Sequence, residues 1–124
     1  MNKQLRYAYS CVGCGWWPIL DKYIPAIQAL DPECEFEPKE KFGGLRLQAF
    51  CSIDGTALKA IWQLEQEAED MSKTVCEYCG KPGTPRTERN WIKTLCNHCN
   101  SLDKDGVRAV FLERRRLLDE LEVE

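Results

Sequence analysis

The chain contains 124 residues, with 44% hydrophobic and 30% charged side chains and a formal net charge of −3 at pH 7. This composition predicts one small globular unit and excludes a chain that is disordered over half its length. The acidic balance also argues against a protein that binds nucleic acid by broad phosphate contact, because such proteins usually carry a basic face.

The N-terminal residues contain no apolar segment of signal-peptide length, and no apolar run approaches the roughly 18 residues of a membrane helix. We therefore expect a cytoplasmic protein that does not enter membranes. Thiols stay reduced in the cytoplasm, so the eight cysteines are expected to be metal ligands rather than disulfides.

The first predicted element is a helix that begins near Pro18, because proline suits the first turn, and ends at Asp31-Pro32. Apolar residues recur on one side of it at helical spacing. Pro25 lies inside the pattern and removes a backbone donor, so we expect a kink or two short helices there. The apolar face consists of Ile19, Leu20, Tyr23, Ile24, Ile27 and Leu30.

A β-hairpin is predicted over 33–51, with strands at 33–38 and 45–51 and Gly43-Gly44 in the turn. A four-residue loop over 41–44 sets the register, and the side chains then alternate between an apolar and a mostly polar face. The predicted pairs are Glu40 with Leu45, Phe36 with Ala49 and Cys34 with Cys51. The apolar face comprises Cys34, Phe36, Leu45, Leu47, Ala49 and Cys51, and the other face comprises Glu33, Glu35, Glu37, Arg46, Gln48 and Phe50.

Two further helices are predicted. One begins at Asp54 or Thr56, either of which can cap it, and ends near Ser72. The other runs from about Val107 to Leu121, and its apolar side could pack on the core or pair two chains. The inward positions are Ala57, Leu58, Ile61, Leu64, Ala68 and Met71 in the first helix and Val107, Val110, Phe111, Leu117, Leu118 and Leu121 in the second.

The strongest chemical signal is a double Cys-x-x-Cys pattern between these helices. Cys76 and Cys79 are followed, after sixteen residues, by Cys96 and Cys99, which is the spacing of a four-cysteine zinc site. Two residues between cysteines let one tight turn direct both sulfurs at a single ion, and Gly80 relieves that turn. Four thiolates complete the tetrahedral shell of Zn²⁺ and leave no position for water, so this zinc should be structural.

Enzymatic functions are not favoured by the residues present. His98 is the single histidine and lies between Cys96 and Cys99, so a metal-dependent nuclease or a Cys/His nucleophile pair lacks its base. Replacement of one thiolate by His98 is the alternative ligand set for the zinc. We therefore expect a protein that is not an enzyme.

The other four cysteines could form a second metal site. Cys11 and Cys14 repeat the knuckle pattern of the zinc site, and the predicted register places Cys34 opposite Cys51 at the open end of the hairpin. Together they would supply four thiolates to a second zinc. The alternative is that they are buried and act as small hydrophobic residues.

Basic residues in the C-terminal half give an alternative function. Arg86, Arg89, Lys93 and the run Arg114, Arg115 and Arg116 could form a face for nucleic acid. The ordinary interpretation of the run is a solvated helix stripe, since acidic residues lie beside it. Phe50 is a candidate anchor for a protein partner, unless a neighbouring helix covers it.

Four segments together resemble a known family. They are 15–20 (GWWPIL), 39–46 (KEKFGGLR), 76–83 (CEYCGKPG) and 91–96 (WIKTLC). They are similar to segments of small zinc-knuckle proteins of tailed phages and prophages, a family without an assigned biochemical activity. The resemblance implies an accessory protein that acts in the host cytoplasm, and it supplies no catalytic residues. The chain departs from the family at Leu47-Gln48, where an aromatic pair is usual, and by carrying Cys14, Cys34 and Cys51.

The sequence thus predicts an α+β fold in which a helix–β-hairpin–helix core over 1–73 is joined to a zinc module of treble-clef or ribbon type and a C-terminal helix over 74–124. The two parts are expected to pack as one unit. The leading function is a non-enzymatic phage-type protein that binds and inhibits or redirects a host defence or transcription protein. The alternative is a zinc-ribbon nucleic-acid binder, and a homodimer through the C-terminal helix is a further expectation.

Overall fold

The computed structural model describes residues 1–121 and combines α-helices with three small antiparallel sheets of two strands each, so the predicted α+β class is confirmed. Within these residues, no helical segment combines the length and the apolar composition that a membrane span requires. The helices are α1 (Lys3–Cys11), α2 (Trp17–Leu30), α3 (Gly55–Ser72), α4 (Asn97–Asn100) and α5 (Lys104–Glu120), with a 3-10 turn at Cys14–Trp16. The strands are β1 (Glu35–Phe36), β2 (Lys39–Lys41), β3 (Gly44–Arg46), β4 (Ala49–Phe50), β5 (Thr84–Arg86) and β6 (Lys93–Leu95).

The N-terminal helix α1 was not predicted. Its start is marked by Asn2, whose side-chain oxygen accepts hydrogen bonds from the backbone amides of Gln4 and Leu5. Ala8 and Tyr9 are buried on the side that faces the core. The chain has a recognisable capping residue there, but only a short apolar pattern follows it.

The helix α2 is continuous from Trp17 to Leu30, so the expectation of two short helices is wrong. Pro25 lies on the exposed side, where its missing donor leaves no buried group unsatisfied. Of the predicted apolar face only Leu30 is exposed, because it is the last residue of the helix. Asp31 ends the helix, as predicted.

The predicted hairpin register is confirmed, since Glu40 pairs with Leu45 and Phe36 pairs with Ala49. The loop is shorter than expected, because Lys41 pairs with Gly44 and leaves a two-residue turn. Its residues have positive φ, +54° at Phe42 and +81° at Gly43, as a type I′ hairpin turn requires. The strand pairing is interrupted at Gln48, which also has positive φ. The hairpin therefore divides into two short pairs of strands, β1–β4 and β2–β3.

The two faces of the hairpin are as predicted. Phe36, Leu45 and Leu47 are buried in the core, where β1 contacts α1 and β3 contacts α3. Phe50 is 59% exposed, so no helix covers it. The helix α3 has Asp54 at its N-cap without a side-chain hydrogen bond. At its other end the Ser72 hydroxyl accepts from the Leu45 amide and connects the helix to the hairpin.

The C-terminal half packs on the core through backbone contacts. The Gly15 amide donates to the Glu77 carbonyl oxygen at 2.8 Å, and the Trp16 indole donates to the Val75 carbonyl oxygen at 2.9 Å. The helix α5 crosses back to the N-terminal half, where the Arg114 guanidinium donates to the Val12 carbonyl oxygen. No residue of α5 is fully buried, but Val107, Val110 and Leu118 of its predicted apolar side are partly buried against the apolar clusters, whereas Phe111 is exposed.

Candidate metal centre

The first half of the candidate site is a tight turn over 76–80. The Gly80 amide donates to the Cys76 carbonyl oxygen, and the Cys76 amide donates to the Lys81 carbonyl oxygen at 2.7 Å. Gly80 has φ of +82°, which side chains other than glycine rarely adopt. The turn therefore closes because glycine occupies that position, as the sequence indicated.

The second half of the site is formed by the hairpin β5–β6 and the short helix α4. Cys96 follows β6 directly and is the N-cap of α4, and Cys99 lies one turn later in that helix. The Cys99 amide donates to the Cys96 sulfur at 3.4 Å, which fixes the separation of the two cysteines. The strand thus delivers one sulfur and the helical turn delivers the other.

The four predicted ligands come together. The Sγ atoms of Cys76, Cys79, Cys96 and Cys99 all lie within 4.8 Å of one another, and those of Cys79 and Cys96 are 3.7 Å apart. Cys76 and Cys99 are buried, and Cys79 is exposed. This arrangement can hold one metal ion, and the exposed Cys79 lies on the side of the site that faces solvent.

The electrostatics of the cluster are uneven. Burial raises the pKa of Cys79 and of Cys99, because a thiolate is costly in an apolar environment. The Cys99 amide has the opposite effect on Cys96 and lowers its pKa to about 7. A bound cation would stabilise the thiolate forms of these sulfurs.

His98 does not belong to the cluster. It is exposed on α4, and its carbonyl oxygen accepts hydrogen bonds from the amide and hydroxyl of Ser101. Among residues 1–121, the group of potential ligands at this position contains the four cysteines alone. The alternative ligand set with His98 is therefore not favoured by the geometry.

Glu77 is a supporting residue that the sequence analysis missed. Its side chain is buried, accepts from the Gly13 amide at 3.1 Å and forms an ion pair with Lys93 at 3.2 Å. Its carbonyl oxygen accepts from the Gly15 amide. The only sign of this role in the sequence is a charged residue between Cys76 and Cys79, and such a residue does not by itself predict burial.

The other four cysteines are not brought together as expected. Cys34 and Cys51 lie side by side, with their Sγ atoms 3.3 Å apart. Cys11 and Cys14 lie elsewhere, where their thiols contact the Tyr7 and Tyr78 carbonyl oxygens. The physical reason is that the turn after α1 packs on the turn at 76–80 rather than on the hairpin. The expected second zinc site formed by Cys11, Cys14, Cys34 and Cys51 is therefore wrong.

The candidate nucleic-acid residues are mostly engaged within the chain. Arg86 donates to the Leu95 carbonyl oxygen and to Asn97, and Arg89 donates to Asn100. These contacts connect β5 and the loop after it to the end of β6 and to the helix α4 of the metal cluster. The remaining partners are Glu77 for Lys93, Val12 for Arg114, and both Glu113 and Glu120 for Arg116, whereas Arg115 is exposed.

No protein-family model, no curated protein and no solved structure matches the chain. The resemblance to the phage family therefore stays a prediction, and function has to be inferred from the chemistry of the described residues.

Proposed function

We propose that this protein is a non-enzymatic, zinc-stabilised module that binds an acidic segment of another protein through the surface between α1 and α5. Two features support the proposal: a metal cluster with four thiol ligands, and a groove in which arginines surround exposed apolar side chains. The cluster supports the stabilisation of the fold by zinc, and the groove supports the binding of an acidic partner.

Zinc is the metal that fits the cluster best. Four cysteine sulfurs within 4.8 Å of one another match a tetrahedral thiolate shell, which favours zinc over cations that prefer oxygen ligands. A turn, a hairpin and a helical turn supply the ligands in that order, and this order supports the treble-clef type over the ribbon type, the two that the sequence left open. With four protein ligands the ion has no position for water or substrate, and its role is structural.

The binding surface, which we call the arginine groove, is formed by one side of α5 and the facing side of α1. Phe111 and Leu112 are 44% and 57% exposed on it. Exposed apolar side chains within a polar rim are typical of partner sites. The groove is lined by Arg6, Ser10, Arg108, Phe111, Leu112, Arg114, Arg115, Leu118 and Asp119.

The charge of the groove is the observation that carries the proposal. Within residues 1–121, the guanidinium groups of Arg6, Arg108 and Arg115 have no hydrogen-bond or ion-pair partner. Of the residues that the structure describes, Asp119 is the one acidic residue in the lining. A chain with a net charge of −3 therefore concentrates positive charge around an apolar patch, and the complementary partner is acidic and amphipathic.

A protein partner fits this surface better than nucleic acid does. The apolar floor of Phe111 and Leu112 offers area to aliphatic or aromatic side chains, whereas a phosphate backbone would use the arginines alone. Two of the basic residues that the sequence suggested for nucleic acid are engaged within the chain, Arg86 with the Leu95 carbonyl oxygen of β6 and Arg89 with the Asn100 side chain of α4. The nucleic-acid alternative is thereby weakened.

A second copy of the chain is a poor occupant of the groove. Self-association through α5 would bring the arginines of the two copies together, and like charges across an interface cost several kcal/mol. We therefore propose a different protein as the partner rather than a homodimer. The resemblance to phage proteins would make it a host protein, which the module would inhibit or redirect.

The test is selection from a random peptide library on the zinc-loaded full chain. We expect enrichment of peptides that combine Glu or Asp with Leu, Phe or Trp. Arg115→Gln should weaken them about tenfold, as expected for one charge-assisted contact of about 1.4 kcal/mol. Arg116→Gln is the matched control and should leave affinity unchanged, because Arg116 already binds Glu113 and Glu120.

Two results would overturn the proposal. One is enrichment of basic or uncharged peptides, or equal affinity for the Arg115→Gln variant and the unmodified chain. The other is tighter binding of a single-stranded oligonucleotide that weakens steeply with salt and depends on Arg115, which would identify the groove as a phosphate site.

A further inference from the structure

A second group of potential ligands lies outside the four-cysteine cluster, at the open end of the first hairpin. One carboxylate oxygen of Asp31 and the Sγ atoms of Cys34 and Cys51 lie within 4.8 Å of one another. We propose that these three residues bind a second metal ion of the zinc class, independently of the cluster at Cys76–Cys99. This inference does not rest on the proposed function.

The separations fit a shared ion. The sulfurs of Cys34 and Cys51 are 3.3 Å apart and are not joined in a disulfide. Two thiolates at the usual zinc–sulfur distance of about 2.3 Å, held at a tetrahedral angle, are separated by about 3.8 Å, so the two sulfurs would move apart by only about 0.5 Å to share an ion. The three atoms therefore lie near three corners of one coordination tetrahedron.

The chain fixes Asp31 in the orientation that a ligand needs. Asp31 closes α2, and its carboxylate accepts from the Ser52 amide at 2.8 Å and from the Glu33 amide at 3.1 Å. The Ser52 hydroxyl also donates to it. Donors of this kind orient a ligating carboxylate and restrict its rotation. The same contacts hold the segment after β4, and therefore Cys51, next to the end of α2.

The burial of the group favours a bound cation in addition to the hydrogen bonds that already stabilise the Asp31 carboxylate. Asp31 and Cys34 are each only 2% exposed. Among the described residues, 1–121, no lysine or arginine forms an ion pair with Asp31. Buried carboxylates are normally paired with a positive group or coordinate a metal. A divalent ion would supply that charge and would also favour ionisation of the two thiols.

The ligand count distinguishes this site from the first one. Three protein ligands leave a fourth position, which lies toward solvent because Cys51 is only half-buried. Two thiolates exclude Mg²⁺ and Ca²⁺, whereas a carboxylate with two thiolates suits Zn²⁺. We expect this ion to be bound more weakly than the ion of the four-cysteine cluster and to exchange first.

The experiment measures metal content by native mass spectrometry after the reduced full chain is equilibrated with excess Zn²⁺. We expect two ions per chain, and one in Asp31→Asn and in Cys51→Ser. Cys51 is half-buried, so its variant keeps the test valid if a change at buried Asp31 prevents folding. Cys11→Ser is the matched control and should retain both ions, because Cys11 contacts the Tyr7 carbonyl oxygen instead.

Cobalt gives a second readout. Co²⁺ in place of zinc should show thiolate charge-transfer absorption that falls in Cys51→Ser, and a weak chelator should remove one ion before the other. A single ion per chain, unchanged in Asp31→Asn and Cys51→Ser, would overturn the proposal. So would a Cys34–Cys51 disulfide that forms in air while the metal content stays at one.

Discussion

The backbone amide of Gly15 lies against the metal-binding turn and donates a hydrogen bond to the Glu77 carbonyl oxygen at 2.8 Å. A Cβ atom on Gly15 would lie only 2.1 Å from the Cys76 carbonyl oxygen and 2.6 Å from the Gly80 amide nitrogen. The backbone of the first Cys-x-x-Cys-Gly segment, 11–15, thus packs directly against that of the second, 76–80. The core and the metal cluster are therefore connected through the backbone and not by side-chain packing alone.

Gly15→Ala should strongly destabilise the protein, because the added methyl group meets backbone atoms that cannot rotate away. We expect a loss of about 3 kcal/mol in the free energy of unfolding, measured by urea denaturation of the zinc-loaded protein. Gly55→Ala is the control. Gly55 has φ of +69° but no atom within 4 Å of its Cβ position, so about 1–2 kcal/mol is expected from the backbone alone. Equal losses in the two variants would contradict the close contact.

Cys79→Ser should remove one equivalent of zinc and unfold the segment around the cluster, because metal binding and folding of such sites are coupled. Elemental analysis gives the zinc content, and hydrogen exchange shows which amides lose protection. We expect the loss to include 74–99, with the helix α2 still protected. Cys11→Ser should change neither measurement. The absence of zinc from protein purified without any chelator would refute the metal assignment.

Arg86→Gln should lower stability instead of nucleic-acid affinity. The Arg86 guanidinium donates twice to the Leu95 carbonyl oxygen, at 3.0 and 2.9 Å, one residue before the ligand Cys96. Loss of such a charged donor costs about 1.5–3 kcal/mol. Arg108→Gln, at an exposed residue, should stay within about 0.5 kcal/mol. Unchanged stability together with weaker oligonucleotide binding in Arg86→Gln would favour the nucleic-acid alternative.

Tyr9→Phe should flatten the alkaline part of the stability profile. Burial, followed by the hydrogen bond from its hydroxyl to Asp21, raises the pKa of Tyr9 above its ordinary value of 10.0. The unfolded chain ionises this phenol first, so its contribution is complete below about pH 10 and is lost as the pH rises toward the folded pKa.

The check is urea denaturation of both proteins at a series of pH values. The unmodified chain should exceed Tyr9→Phe by about 1 kcal/mol at neutral pH, and the difference should shrink above about pH 10. A difference that stays constant over the alkaline range would contradict the raised pKa.

Local patterns in the sequence were sufficient for the metal cluster and the hairpin register. Cys76 and Cys79 are held by one turn, and Cys96 and Cys99 by one helical turn, so short-range geometry determines how each pair is directed. The register followed because side chains alternate every second residue, and a shift by one would have turned Phe36 away from the core.

Contacts between distant segments were decided only by the tertiary structure. The knuckle-like pattern at Cys11 and Cys14 predicted ligands, but Gly15 packs on Glu77 and directs these thiols away from Cys34 and Cys51. The neighbours of an arginine or a carboxylate depend on side-chain directions after packing, and no spacing along the chain encodes them. For this reason the sequence alone did not indicate that Asp31 lies beside Cys34 and Cys51. Nor did it indicate that the groove between α1 and α5 contains arginines without a partner among residues 1–121.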